Sequence, residues 1–210
     1  MTRARRPERS DLVWRSGDLK RALVDFAREP RFDDALDDVL VRRHGPATTE
    51  LDDAVFANLL DYLALQYRLP GGGTVVEQFV AEHPELDAEE RALLRGWRGV
   101  VEGIFEVGRR DGEALEVVNL VDELTYRVRS NMGPGVFARL RPGSFLITRL
   151  VPVGDEWLMS GGAGTLPASA RAAALRAAAE AAEREPTRRR SARRSGPGVR
   201  RRSRRPRRTP

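Results

Sequence analysis

The chain has no cysteine among its 210 residues. That excludes disulfides, iron–sulfur clusters, thiolate zinc sites and cysteine nucleophiles. Histidine is nearly as scarce, with His44 and His83 the only two, so imidazole catalysis and imidazole metal binding have little to start from. A single lysine, Lys20, stands against 36 arginines; with the alanine and glycine content, this ratio suggests a GC-rich bacterial coding sequence. No run approaches the roughly 20 apolar residues of a membrane span. The basic start MTRARRPERSD lacks a following apolar segment, so it does not read as a secretory signal. These absences predict a soluble, cytoplasmic protein.

What is present is arginine, unevenly spread. The formal net charge of +6 conceals two parts of opposite sign. Residues 186–210, PTRRRSARRSGPGVRRRSRRPRRTP, hold 12 arginines and no acid. Setting these aside leaves 25 basic against 31 acidic residues, a net of −6 for residues 1–185. Such asymmetry marks an interaction tail on an acidic body.

The pattern of apolar residues divides the body. Residues 1–15 read as a flexible arm, and 16–98 as a helical region. Leu19, Leu23 and Phe26 recur at helical spacing, as do Phe32, Leu36, Val39 and Leu40, then Leu51, Val55, Leu59, Tyr62 and Leu63. The glycines of GGGTVVEQF invite comparison with a phosphate loop. The lysine and the preceding strand of that motif are absent, whereas Thr74 and Glu77 have the spacing of a capping box. Asp87 and Glu90 repeat it.

At Trp97 the period shifts to two. Five short alternating stretches in residues 99–164, with turns at Asp111–Gly112 and Gly154–Asp155, predict a small five-stranded antiparallel β-barrel-like domain. Residues 165–185 predict an Ala-rich, mostly exposed helix with Leu175 as its one large apolar residue. Residues 186–210 cannot bury apolar surface and read as a disordered tail. The expected class is therefore α+β: a helical N-terminal half, the β domain, an exposed helix and a basic tail.

Several ordered segments, YRLPGGGTVVEQFV, LDAEERALLRGW, EGIFEV and RLRPGSFLITRLVPVGDEWLMSGG, resemble an uncharacterised bacterial protein family. The resemblance covers about residues 55–162. Some members of that family carry a SEC-C motif, a cysteine-rich zinc-chelating segment. This chain has no cysteine, so no such zinc site carries over, and the resemblance implies an architecture without a reaction.

Catalytic groupings are sparse. Asp33 with Asp37 and Asp34 with Asp38 stand at i, i+4 spacing, where a divalent cation bridges such pairs or water solvates an acidic helix face. His83, before Pro84, reads as a helix C-cap. No G-x-S-x-G, H-E-x-x-H or paired acid/base arrangement occurs. No cofactor, metal or catalytic residue is expected.

The expectation is a non-enzymatic binding protein that takes RNA or DNA weakly and without sequence preference. Its candidate residues are Arg188, Arg189, Arg190, Arg193, Arg194, Arg200, Arg201, Arg202, Arg204, Arg205, Arg207 and Arg208. Arg127, Arg129 and Arg149, near Tyr126, Phe137 and Phe145, form a possible second surface on the β domain, since small barrels bind single strands through cations and aromatic rings; the preferred alternative puts these arginines on the wet face of a half-buried sheet and the aromatics in its core. The alternative is a protein–protein interaction or regulatory module whose tail contacts acidic protein surfaces, including the chain's own aspartate-rich helix. Ser191, Ser195 and Ser203 follow arginine clusters, where phosphorylation would subtract charge.

Overall fold

A computed structural model describes residues 8–45, 51–184 and 200–201. Five helices occupy the first half: α1 (Glu8–Phe26), α2 (Asp33–His44), α3 (Asp53–Leu65), α4 (Val75–Glu82) and α5 (Ala88–Gly96). Their ends follow local chemistry. Asp52 caps α3 by accepting the Val55 N–H at 2.7 Å. The Thr74 N–H donates to Glu77 at 2.8 Å in the capping box of α4. Asp87 and Glu90 exchange bonds of 2.8 and 3.0 Å at the start of α5. The glycines before α4 serve the turn, with Gly72 and Gly73 at φ 88° and 75°, a region that disfavours any side chain.

The helical stripes meet in one core. Leu23, Phe26, Phe32, Val39, Leu59, Leu63, Phe79, Leu94 and Trp97 are all buried there. Burying each of these side chains stabilises the fold by about 1.5–3 kcal/mol against leaving it in water. Helix α1 begins at Glu8, inside the stretch expected to be an arm, because Val13 joins the same core.

Five strands follow: β1 (Val101–Asp111), β2 (Ala114–Asn119), β3 (Leu124–Arg129), β4 (Phe145–Val153) and β5 (Glu156–Leu166). Strand β1 pairs with β2 and β4, β2 with β3, and β4 with β5, all antiparallel. Closure comes from β3 and β5, which pair in parallel through Val128↔Trp157 and Arg129↔Leu158. The barrel is thus closed but not strictly antiparallel, which corrects the sequence expectation. Hairpins account for the antiparallel neighbours; the parallel contact joins strands distant in sequence, and no turn residue announces it. The order β1-β2-β3-β5-β4-β1 is that of the OB-type Greek-key barrel.

The barrel has its own core, with Phe105, Val117, Tyr126, Val128, Phe137, Leu146, Leu150 and Trp157 among its residues. Strand β4 is buried on both faces. Leu146 and Leu150 point into the barrel, whereas Val151 and Val153 join the helical core. One outer face of the barrel is therefore the floor on which the helices rest.

Helix α6 (Arg171–Arg184) follows the barrel. Its seating uses Ala174 and Ala178, 0% and 2% exposed, while Leu175 is 44% exposed. The helix is mostly exposed, as expected, and its contact is made by the small residues, which lets it lie close to its support. Arg171 bonds Glu106 of β1 at 2.8 Å. The final described element is a two-residue strand, β6 (Arg200–Arg201), antiparallel to β3 through Leu124↔Arg201 and Thr125↔Arg200.

Candidate functional site

The three barrel arginines expected to share a surface do not share one. Arg127 and Arg129 alternate with the buried Tyr126 and Val128 on β3, so both project outward. Each is held by carboxylates. Arg127 bonds Asp111 at the end of β1 and Glu156 of β5, the latter at 2.8 Å. Arg129 reaches Glu113 at 2.6 Å and lies 3.9 Å from Glu156. Arg109 is likewise engaged by Glu116 at 2.7 Å. Compensated in this way, the β2–β3 face is not a free cationic strip. The rings Tyr126, Phe137 and Phe145 are all buried, as the core reading of them expects. A single-strand platform needs exposed rings on which bases stack, and these rings pack the core instead.

Arg149 has the opposite fate. The β1–β4 register places Glu102 directly across from it, and the β4–β5 register places Ser160 on its other side. This row of three lies on the outer face that the helices cover, so Arg149 is only 3% exposed. Its guanidinium donates to the Gln66 side chain at 2.9 Å, the Asn58 carbonyl at 3.1 Å and Glu102 at 3.0 Å. Asp61 of α3, 2% exposed, lies above it. One Asp61 oxygen, Oδ1, accepts from the Ser160 hydroxyl at 2.8 Å and from Lys20 of α1. The other, Oδ2, has no hydrogen-bond partner and sits 3.6 Å from Arg149 Nη1. Arg43 of α2 closes the group, with a forked contact to Glu102 at 3.1 and 3.0 Å and its cation 3.9 Å from the Tyr62 ring centre.

The node thus ties α1, α2 and α3 to β1, β4 and β5. Strand β5 can come this close to α3 because residue 161 is glycine. A Cβ there would lie 2.7 Å from Asn58 Oδ1, and its φ of 73° also disfavours a side chain. The chemistry of the node is that of a fastener: a densely bonded charged set, buried at Arg149 and Asp61 and reaching the surface at Glu102 and Arg43, joining two layers. Sequence reasoning missed Asp61, Glu102 and Ser160. The one local signal was Lys20, the only lysine of an arginine-rich chain, where a compact ammonium suits a tight contact with Asp61.

Other expected residues take ordinary places. Asp38 bonds Tyr67 and pairs with Arg42, and the Tyr67 hydroxyl, with Arg42 second, holds its carboxyl below the usual range. Asp33, Asp34 and Asp37 lie on an exposed face, and no cluster of three or more metal-ligating side chains occurs among the described residues. His83 is the C-cap of α4, its Nδ1 2.8 Å from the Phe79 carbonyl. At the β2–β3 loop, burial pushes the Asp122 carboxyl up, although it accepts from Tyr126 at 2.6 Å and from the Leu124 N–H at 2.9 Å. A small open cleft of about 30 Å³ lies between α1 and the barrel, lined by Trp14, Glu113 and Arg129 among others. No helix among the described residues is long and apolar enough to cross a membrane. Of the tail arginines, only Arg200 and Arg201 fall within the described residues, as backbone in β6; the expected disorder of 186–210 otherwise lies outside them.

Fold and site together define a helical layer fastened to an OB-type barrel by a buried ionic node. Comparison with family models, curated proteins and solved structures found no match for the chain.

Proposed function

We propose that this is a non-catalytic binding protein whose arginine-rich terminal segment takes polyanions, RNA or DNA among them, without sequence preference. The carrying observation is the separation of charge: 12 arginines without an acid in residues 186–210, beside a body of net −6. The barrel supports the reading by what it does with its own arginines. Arg127 and Arg129 are engaged by carboxylates and Arg149 is buried, so the body offers a mount and not a groove. Contacts of this kind release counterions. If half of the 12 arginines each neutralise a phosphate, log K falls with log salt at a slope of about −5 on duplex DNA.

The test is binding to random single- and double-stranded oligonucleotides across salt concentrations. A variant with all 12 tail arginines changed to glutamine should lose both the affinity and the salt slope. Unchanged binding by that variant would refute the proposal, and sequence-specific binding would contradict it as well. The second reading, contact with acidic protein surfaces, is favoured by one observation: the backbone of Arg200–Arg201 pairs with β3 of the chain's own acidic body.

A further inference from the structure

Strand β3 is paired along most of one side and only partly along the other. Leu115, Glu116, Val117 and Val118 of β2 meet Val128, Arg127, Tyr126 and Thr125. On the opposite side, β5 meets only Val128 and Arg129. The reason is topological. β5 starts at Glu156, immediately after the Gly154–Asp155 turn, so no earlier residue of β5 can continue the ladder toward Leu124. The barrel is left with a short open edge beside the first half of β3. Open edges present unpaired N–H and C=O groups and accept an added strand. The only element on this one among the described residues is β6, with Arg201 opposite Leu124 and Arg200 opposite Thr125.

Charge favours the same occupant. Glu123 immediately precedes β3 and Asp155 immediately precedes β5, so a carboxylate borders each end of the edge, while Glu156 is already held by Arg127. The two residues paired there are Arg200 and Arg201, within an arginine-rich stretch of the sequence. Connection within one chain is feasible. Residues 185–199 span up to about 50 Å when extended, more than the ~36 Å length of an 11-residue strand such as β5.

We propose that the open edge of β3 is a docking site for the chain's own arginine-rich segment around Arg200–Arg201, which a polyanion must displace to engage those residues. The displacement half rests on the function proposed above; the docking half stands on the strand register alone. Docked, the segment adds a sixth strand and holds part of its charge against the acidic rim. Displaced, it leaves the edge open to water.

Amide hydrogen exchange of the full-length chain, followed residue by residue, tests both halves. Replacing both residues by proline (R200P/R201P) removes their N–H donors. Exchange at Leu124 and Thr125, the residues opposite β6, should then quicken about tenfold, while the β1–β4 ladder stays unchanged. R200Q/R201Q keeps the donors and should quicken it less. A random single-stranded oligonucleotide added to the unaltered chain should raise exchange at the same amides to the level of the proline variant. Equal exchange in the proline variant and the parent overturns the docking site. Protection that grows with protein concentration overturns it as an intramolecular contact. If the oligonucleotide binds but leaves exchange unchanged, displacement is wrong and the polyanion reading survives. If the proline variant responds but no oligonucleotide binds, docking survives and the polyanion reading falls.

Discussion

Arg127 and Arg149 are the same residue type on two strands of one barrel, and both point away from its centre. Around Arg127 the outer face meets water, and two carboxylates, Asp111 at the end of β1 and Glu156 of the adjacent β5, hold the guanidinium at the surface. Around Arg149 the outer face meets α3, and the guanidinium is almost fully enclosed with four polar partners. Outward on a barrel does not mean exposed; the covering layer decides. The energetic consequence differs in kind. An exposed ion pair contributes about 0–1 kcal/mol and weakens with salt. A buried cation costs desolvation that its carboxylates, amide and carbonyl partners offset together, so removing it costs more than losing a surface pair even though Asp61 keeps Lys20 and Glu102 keeps Arg43.

The largest expected effect follows from that asymmetry. Arg149→Met should destabilise the chain by about 2–4 kcal/mol, because the Gln66 side chain and the Asn58 carbonyl lose their donor and Asp61 Oδ2 its neighbouring cation, while Lys20 and Arg43 still hold the carboxylates; the urea midpoint reports it. A loss below about 1 kcal/mol would show that the node is not the fastener. Next in size, Gly161→Ala forces a Cβ into Asn58 at positive φ and should cost about 1–3 kcal/mol. Relief of that cost by Asn58→Ala would sharpen the assignment, since the crowding atom would be gone. Smallest, Arg127→Ala should change stability by less than about 1 kcal/mol, with the difference shrinking further in 1 M salt. A salt-insensitive loss as large as that of Arg149 would break the comparison.

Much of the fold was legible because it is written locally. Thr74/Glu77 and Asp87/Glu90 announce two helix starts through groups three residues apart. Alternation through Leu124, Tyr126 and Val128 announces β3. The Gly154–Asp155 turn announces the β4–β5 hairpin. What failed was non-local. Arg149 alternates correctly as an outward residue, and nothing within β4 tells that α3 lies over it. The parallel closure of β3 against β5 joins segments separated by the whole of β4. In α6 the alanine face was overlooked because small side chains signal packing only when a partner surface is known. The candidate surface of three arginines therefore divided, with two at the rim and one in the node.

The close seating of α6 bears on the segment that follows. Ala174 and Ala178 fix where the chain leaves the body, at Arg184. From that point, residues 185–199 confine Arg200 to a sphere of about 50 Å radius. One segment in that volume corresponds to a local concentration on the order of a few millimolar. The β3 edge therefore meets its own tail at that concentration however dilute the protein becomes. A competing strand in solution would have to match it, whereas a polyanion of the kind proposed would escape the contest by binding the arginines and leaving the edge vacant.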